Sequence, residues 1–154
     1  METEQVKAFF QADRFAANAG IELLEVREGY AKASLAITPE HLNAGGRTQG
    51  GALFTLADLT LAAAANSHGT LAFSLSSNIN FLRASGIGDT LTAEARERYI
   101  GRTTGCYQID ITNQEGKLVA TFESSVFRMG DRLPFAASTT SPTTSADSGC
   151  PSPR

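Results

Sequence analysis

The sequence predicts an α+β fold in which a curved antiparallel sheet wraps around one long helix. The run from Gly50 to Gly69 has the length of a helix and is small and apolar on almost every side, so most of its surface is expected to be buried. Two strand-like segments precede this run and four follow it, with turns rich in Gly and Asn between them. Wrapping by a sheet is a layer arrangement that buries such a helix.

The individual elements follow from periodicity and from turn residues. Apolar positions near helical spacing indicate a first helix, which Asn18 and Gly20 would end. Alternating segments such as the one containing Leu91, Ala93 and Ala95 indicate half-buried antiparallel strands. The predicted elements are, in order, a helix over 3–17, strands over 21–28 and 30–38, a loop over 39–49, the long helix over 51–67, and strands over 71–82, 90–99, 104–112 and 117–129.

Composition excludes several classes of partner. The chain has 154 residues, of which 42% are hydrophobic and 19% are charged, as is typical of one globular domain. A net charge of −3 without a cluster of Lys or Arg argues against binding to nucleic acid. The longest apolar stretch, 56–65, is interrupted by Asp58 and Thr60 and is far shorter than the roughly 20 residues that cross a membrane. We therefore predict neither nucleic acid nor a membrane as a partner.

The two ends of the chain and its cysteines indicate the cellular compartment and the extent of the folded domain. The N-terminus lacks the basic start and apolar run of a signal peptide. Cys106 and Cys150 lie far apart and indicate neither a disulfide framework nor a zinc site, so we predict a cytoplasmic protein. From residue 131 the composition becomes rich in Ser, Thr and Pro. We predict a folded domain over 1–130 and a disordered tail over 131–154.

Asp58 is the residue that most directly suggests chemistry. It is the one charged side chain between Arg47 and Arg83, and it lies within the apolar helix. Aspartate is a poor helix former and is rarely buried without a partner, so keeping a carboxylate there has a cost in free energy. This cost indicates a nucleophile or a general base. The alternative is a surface aspartate that is hydrogen-bonded across a subunit interface.

A pair of glycines at the start of the predicted helix supplies the second half of a candidate site. Gly50 and Gly51 have no side chains, so a ligand can approach the backbone closely. A helix N-terminus presents free N–H groups that would polarise a carbonyl and stabilise an oxyanion. Asn43, in the preceding loop, would orient water or substrate. Tight packing between loop and helix is the alternative explanation for the glycine pair.

Three stretches of the sequence resemble one enzyme family. Residues 41–69 read HLNAGGRTQGGALFTLADLTLAAAANSHG, residues 78–95 read NINFLRASGIGDTLTAEA, and residues 101–130 read GRTTGCYQIDITNQEGKLVATFESSVFRMG. In register and spacing they resemble the phenylacetate-degradation type of acyl-CoA thioesterase, which has the hotdog fold. The resemblance covers residues 5–130 and includes the spacing of Asn43, Gly50 and Asp58.

The resemblance implies roles for individual residues. Asp58 would be the catalytic acid, as nucleophile or as general base toward water, and the Gly50 N–H would polarise the thioester carbonyl. Asn43 would hold water or the thioester. Gly51, Gln49 and Ser74 would contact the substrate, with Ser76 as the alternative to Ser74. Because coenzyme A carries phosphates, arginines are candidates for its binding; these candidates are Arg83, Arg98 and Arg102, the last with its neighbour Thr103.

The family resemblance also implies an assembly and a departure from the family. Such enzymes build each site from two subunits, so it implies a homodimer with shared sites and a pairing of two dimers. The expected substrate is an aryl-acetyl-CoA, hydroxylated or not, or a medium-chain acyl-CoA. Relatives usually have His where this chain has Gln49, and glutamine does not change its charge near neutral pH.

Two other functions remain open from the sequence. Loss of the usual histidine at Gln49 favours an acyl-CoA binding or regulatory module without catalysis. A hotdog dehydratase is the second alternative, but it requires a histidine in a suitable loop. We predict that His41 lies on the loop surface and that His68 lies where a helix C-terminus favours a cation. With no third ligand near either histidine, we predict no metal and no cofactor, since coenzyme A belongs to the substrate.

Overall fold

The computed structural model describes residues 2–134 and confirms the α+β prediction of one long helix against an antiparallel sheet. A short 3₁₀ turn, Pro39–His41, lies in the loop before that helix. None of the described helices is long and apolar enough to cross a membrane. The elements are α1 (Glu2–Gln11), α2 (Arg14–Ala19), β1 (Glu22–Arg27), β2 (Tyr30–Ala36), α3 (Gly50–Ala65), β3 (Thr70–Phe81), β4 (Thr90–Ile100), β5 (Thr104–Thr112) and β6 (Leu118–Arg132).

The sheet has six antiparallel strands in the order β1-β2-β4-β5-β6-β3, and its inner face packs on α3. Where β2 meets β4, the register pairs Ala31 with Ala95 and Ala33 with Ala93. All four alanines are fully buried, as is Ala57 of α3. Side chains this small allow the helix to lie close to the strands, so the core is formed by wrapping, as the sequence indicates.

One stripe of α3 stays accessible in the single chain, although the sequence predicts burial on most sides. Gly51, Phe54 and Asp58 are exposed, and Thr55 and Ala62 are partly exposed. These five residues recur at intervals of three and four, so they form one face of the helix, which we call the α3 stripe. The prediction of burial on most sides is confirmed, and this face is the part of the helix that the single chain leaves accessible.

Strand β3 forms one edge of the sheet. It pairs with β6 on one side, and among the described residues no strand pairs with its other side. Phe73 and Leu75 on this strand are more than half exposed. An exposed and apolar edge is a surface that proteins usually cover.

The N-terminal helix predicted over 3–17 is two helices in the structure, so this prediction is wrong. Asp13 interrupts it, because its carboxylate accepts a hydrogen bond from the Ala16 N–H at 2.9 Å and caps α2. Aspartate favours this position at a helix start over a helix interior. The predicted stop is correct, since Gly20 ends α2 with a left-handed φ of 88°.

The fold extends beyond the predicted domain boundary at 130. Strand β6 runs to Arg132, so the prediction that the disordered tail begins at 131 is wrong for these residues. Leu133 is fully buried, and its N–H donates to the Gly69 carbonyl at 3.1 Å. This buried leucine is the physical reason for the longer strand. The remainder of the predicted tail, 135–154, lies outside the described residues.

Candidate active site

Asp58 lies on the α3 stripe and lines two clefts. The first, which we call the acid cleft, has a volume of about 310 Å³ and is also lined by Asp13, Phe15, Phe54 and Thr55. The residue is exposed in the single chain, so it is not the isolated buried carboxylate that the sequence argument assumed. Protein atoms around its carboxyl group nevertheless raise the pKa of Asp58 above the usual value for an aspartate, and the negative charge of Asp13 raises it further.

The second cleft beside Asp58, which we call the aromatic cleft, has a volume of about 390 Å³. Phe9 and Phe10 of α1 and Phe73 of β3 line it, together with Ser74. Of the two serines considered from the sequence, Ser74 is therefore the one that shares a cleft with Asp58. Ser76 lines a different cleft with Arg98, on the outer face of the sheet.

The N-terminus of α3 is capped by Gln49. Its side-chain oxygen accepts a hydrogen bond from the Gly51 N–H. A Cβ on residue 51 would lie 2.6 Å from that oxygen, so the cap requires glycine there. The Gln49 amide NH₂ group forms no hydrogen bond with the described residues, and so it is available to a ligand.

The Gly50 N–H is the donor of this helix end that has no partner among the described residues. The ring of Phe81 packs over Gly50, where an added Cβ would lie 2.9 Å from the ring Cζ. The Phe81 ring therefore occupies the space that a side chain at position 50 would need. A free N–H at a helix N-terminus is chemically able to donate to a carbonyl oxygen or an oxyanion.

Asn43 forms the turn that leads to this helix. Its side-chain oxygen accepts hydrogen bonds from the N–H groups of Gly45 at 2.9 Å and Arg47 at 3.1 Å. The Asn43 amide NH₂ group has no partner among the described residues. The side-chain oxygen therefore holds the loop, and the amide nitrogen keeps its capacity to donate hydrogen bonds.

Asn43 and Gly50 share a cleft of about 400 Å³, which we call the helix-end cleft. Phe81 and two arginines also line it: Arg83, which the sequence analysis considered, and Arg47, which it did not. A basic residue directly after the Asn-Ala-Gly-Gly turn is the sequence signal for Arg47. Two guanidinium groups at one cleft are suited to phosphate groups.

Asp58 does not line the helix-end cleft, and neither Asn43 nor Gly50 lines the acid or aromatic cleft. Gly50 and Asp58 are eight positions apart, which corresponds to about 12 Å along a helix. A further cleft of about 300 Å³ contains Gln49 and Gly51. It shares Phe15 and Thr55 with the acid cleft, so Gln49 and Gly51 lie on the side of α3 that carries Asp58.

Two of the predicted coenzyme A contacts lie away from these clefts within one chain. Arg102 and Thr103 are exposed in the turn between β4 and β5. The Thr103 carbonyl accepts a hydrogen bond from the Arg128 N–H at 2.8 Å. The single chain therefore does not bring Arg102 and Thr103 to Asp58 or to Asn43.

Both histidines are bound to protein groups. His41 is buried, not on the loop surface as predicted, because the Thr38 N–H donates to its Nδ1 at 2.9 Å and its Nε2 donates to the Ala19 carbonyl. The ring of His68 lies between Glu28 at 3.1 Å and Glu97 at 2.6 Å. These carboxylates, rather than the helix C-terminus, hold His68 in place. Over residues 2–134, no group of three or more His, Cys, Asp or Glu side chains is arranged to hold a metal ion.

Comparisons with known proteins agree on one family. The family model described as the thioesterase superfamily matches residues 45–120, which include Gly50, Asp58 and Arg83. The acyl-coenzyme A thioesterase PaaI of Escherichia coli K12 is 39% identical over 130 residues, covering 84% of this chain and 93% of that protein. Human acyl-coenzyme A thioesterase 13 is 30% identical over 121 residues, covering 76% of this chain and 86% of that protein.

Solved structures of the same family match the fold of this chain. The structure of the E. coli PaaI protein from the phenylacetic acid degradation operon superimposes with a TM-score of 0.82 at 39% identity, covering 85% of this chain and 96% of that one. A thioesterase protein from Streptococcus pneumoniae, solved with coenzyme A, gives a TM-score of 0.76 at 33% identity and covers 82% and 98% of the two chains. The hotdog fold expected from the sequence is confirmed by these matches.

Proposed function

The chain belongs to the thioesterase superfamily, and from this premise we propose that it hydrolyses acyl-coenzyme A thioesters to a carboxylic acid and free coenzyme A. The proposal is supported by the names of its relatives and by the coenzyme A in the Streptococcus structure. The observation that carries it on this chain is the unpartnered Gly50 N–H, in a cleft that also holds Asn43 and two arginines. This cleft offers donors for a carbonyl oxygen and cations for phosphates.

We propose that each site is shared between two subunits. Asp58 lines clefts on one side of α3, whereas Asn43 and Gly50 line a cleft on the other. A second chain that covers the α3 stripe and the β3 edge would bring its own Asn43 and Gly50 toward Asp58. Such a homodimer also covers Phe73, which is 54% exposed in the single chain. Pairing of two dimers into a tetramer is part of the same proposal. The cytoplasmic location stays a prediction from the sequence.

In the proposed reaction the thioester carbonyl oxygen lies at the Gly50 N–H, and Asp58 acts in one of two ways. As general base, its carboxylate takes a proton from water as the water oxygen attacks the carbonyl carbon. The tetrahedral oxyanion then collapses, the C–S bond breaks, and the sulfur receives the proton. As nucleophile, Asp58 attacks the carbonyl carbon first, and the C–S bond breaks as the coenzyme A thiolate leaves. Water then hydrolyses the resulting anhydride to the free acid and Asp58, and the proton it releases goes to the thiolate. The raised pKa of Asp58 makes it a stronger base in either case.

For the acyl group we propose a phenylacetyl or hydroxyphenylacetyl group, with medium-chain acyl groups as the alternative. The aromatic side chains around Asp58, which are Phe9 and Phe10 on one side and Phe15 and Phe54 on the other, favour an apolar acyl group. The operon of the E. coli relative supports the aryl choice.

A binding module without catalysis is the second candidate, and Gln49 is the observation that favours it. Its side-chain oxygen is used as the cap of α3, and an amide does not transfer protons near neutral pH. Such a module would bind coenzyme A thioesters at the same clefts without turnover. A dehydratase is disfavoured, because both histidine rings are engaged in hydrogen bonds with protein groups.

The test is release of free thiol from a panel of acyl-CoA thioesters, including phenylacetyl-CoA and medium-chain acyl-CoA. The wild type is compared with Asp58→Ala, and with Glu22→Gln as a control on an exposed strand position. The proposal predicts hydrolysis by the wild type and the control, and loss of hydrolysis in Asp58→Ala. Binding of coenzyme A without thiol release would instead support the binding module. Full activity in Asp58→Ala would overturn the role of Asp58.

A further inference from the structure

Asp13 places a second carboxylate beside Asp58. It lies in the turn between α1 and α2, and both aspartates line the acid cleft. One Asp13 oxygen accepts the hydrogen bond from the Ala16 N–H, which fixes the side chain as the cap of α2. The position of this charge is therefore set by the start of a helix rather than by a freely moving surface side chain.

No other charge competes with this pair in the clefts that Asp58 lines. The remaining residues of the acid cleft, on α2 and α3, are uncharged. Apart from Asp58 itself, the residues of α1, α3, β3 and β6 that line the aromatic cleft are uncharged. Asn66, which follows α3 and also lines this cleft, is uncharged too. Among the described residues that line either cleft, Asp13 and Asp58 are thus the ones that carry a formal charge. The shared site proposed above would add the arginines of the helix-end cleft, Arg47 and Arg83, from a second chain.

We propose that Asp13 is a positioning residue for the reaction and that it acts through Asp58. The fixed negative charge of Asp13 in the acid cleft sets the pH range in which Asp58 gives up its proton. Its effect on turnover rests on the thioesterase function proposed above. A negative charge beside a partly desolvated carboxyl group disfavours the ionised form of that group, so the cleft keeps Asp58 a better proton acceptor than an ordinary surface aspartate. The raised pKa of Asp58, caused first by the protein atoms around its carboxyl group and then by the charge of Asp13, agrees with this arrangement.

The two functions of Asp13, as a helix cap and as a charge, can be separated by substitution. Asn and Ser also cap helices through a side-chain oxygen, but they carry no charge. We therefore compare Asp13→Asn and Asp13→Ser with Asp13→Ala, which removes both the cap and the charge. Glu22→Gln removes one negative charge from an exposed strand position that lines neither cleft, and so controls for net charge.

The first measurement is the pH profile of kcat/KM for the acyl-CoA that the wild type hydrolyses best. The proposal predicts that the acidic limb moves to lower pH in Asp13→Asn, with the same direction in Asp13→Ser and no shift in Glu22→Gln. Added salt should reduce the difference between wild type and Asp13→Asn, because it screens the interaction between the two charges. An unchanged limb in both capping variants would overturn the proposal and leave Asp13 as a helix cap alone.

The second measurement does not depend on activity. The carboxyl carbon of Asp58 is followed by NMR during a pH titration of wild type, Asp13→Asn and Asp13→Ser. We expect its midpoint to fall in both variants, and an unchanged midpoint would overturn the proposal. If the wild type hydrolyses no thioester but the midpoint falls, the proposed function fails while the coupling between Asp13 and Asp58 stands.

Discussion

The carboxylate of Asp58 has opposite consequences for activity and for stability. Its pKa is raised because protein atoms and the charge of Asp13 disfavour the ionised form. A stronger base is useful for activating water, but the folded state then holds a charge in an unfavourable place. At the scale of this one residue, activity and stability therefore compete, as is common at active sites.

Asp58→Asn tests this competition. A carboxyl group whose pKa is higher in the folded than in the unfolded state stabilises the fold at low pH, and this contribution is lost as the pH rises through the folded pKa. We therefore expect Asp58→Asn to melt at a higher temperature than wild type at neutral and alkaline pH, with the difference shrinking as the pH falls. Thermal unfolding across pH measures this.

The same variant should lose thiol release by about 100-fold or more, the usual contribution of a general base. A variant that is less stable than wild type at every pH would contradict the idea that the charge has a cost. It would instead indicate a structural role for the carboxylate.

Among the secondary-structure elements, α3 has a start that depends on the side chain of Gln49 and on the lack of a side chain at Gly51. Gln49 caps the helix at the Gly51 N–H, and a Cβ at position 51 would lie 2.6 Å from the capping oxygen. Gln49→Ala should therefore lower the free energy of unfolding by about 1 kcal/mol, a typical value for the loss of a cap. Gly51→Ala should displace the same oxygen and lose the same cap.

A double-mutant cycle measured by urea unfolding separates this cap from other effects. If both substitutions act through one hydrogen bond, Gly51→Ala costs little once Gln49 is already Ala, and the two losses do not add. Additive losses would show that glycine is required at position 51 for a reason other than the cap. Glu115 is exposed in the turn between β5 and β6 and forms no hydrogen bond with Gln49 or Gly51, so Glu115→Ala serves as a control for the assay.

The end of β6 provides a second test at this scale. Leu133 is fully buried, so Leu133→Ala should lower the free energy of unfolding by about 2–5 kcal/mol. The exposed neighbour Asp131 is the matched control, and Asp131→Ala should change it by less than about 0.5 kcal/mol. A chain that ends at residue 130 should be destabilised relative to one that ends at 134. Equal stability of the two chains would support the boundary at 130 that composition predicts.

The elements differ in how far the sequence predicts them, for physical reasons. The long helix and the strands have strong periodicity, and β5 has the predicted bounds, Thr104–Thr112. The apolar periodicity over 3–17 predicts a helix that continues through Asp13, whereas the preference of aspartate for a cap over a helix interior explains the break. The end of β6 was missed because one buried leucine outweighs a polar composition around it.

The residues of the candidate site were accessible to sequence reasoning, but their grouping was not. Asp58, Gly50 and Asn43 follow from composition, helix physics and a family resemblance. Which of these residues share a cleft depends on the side of α3 on which each one lies. Periodicity alone does not show which other elements pack against each side. The same limit explains why Arg47 was passed over, since its proximity to Gly50 comes from the turn that Asn43 holds.

At the scale of the whole molecule, the sheet order places β3 at an edge although it follows the central helix in the sequence. Its exposed apolar residues and the α3 stripe form the surfaces that a second chain would cover. The proposed shared site therefore requires a dimer for activity, and a site divided between subunits can be rebuilt from two inactive chains.

The most direct measurement is subunit complementation between Asp58→Asn and Asn43→Asp, which keeps the oxygen that holds the turn and loses the amide NH₂ group. Co-expressed in equal amounts, the two variants form mixed dimers in half of the assemblies. With a shared site, each mixed dimer has one intact site, so the mixture should recover about a quarter of wild-type thiol release. The control mixes wild type with a variant that carries both Asp58→Asn and Asn43→Asp in one chain. In that mixture a shared site leaves about a quarter of the wild-type activity, whereas a site within a single chain leaves about half. Recovery in the first mixture is the predicted result, and no activity above that of the separate variants would contradict the shared site.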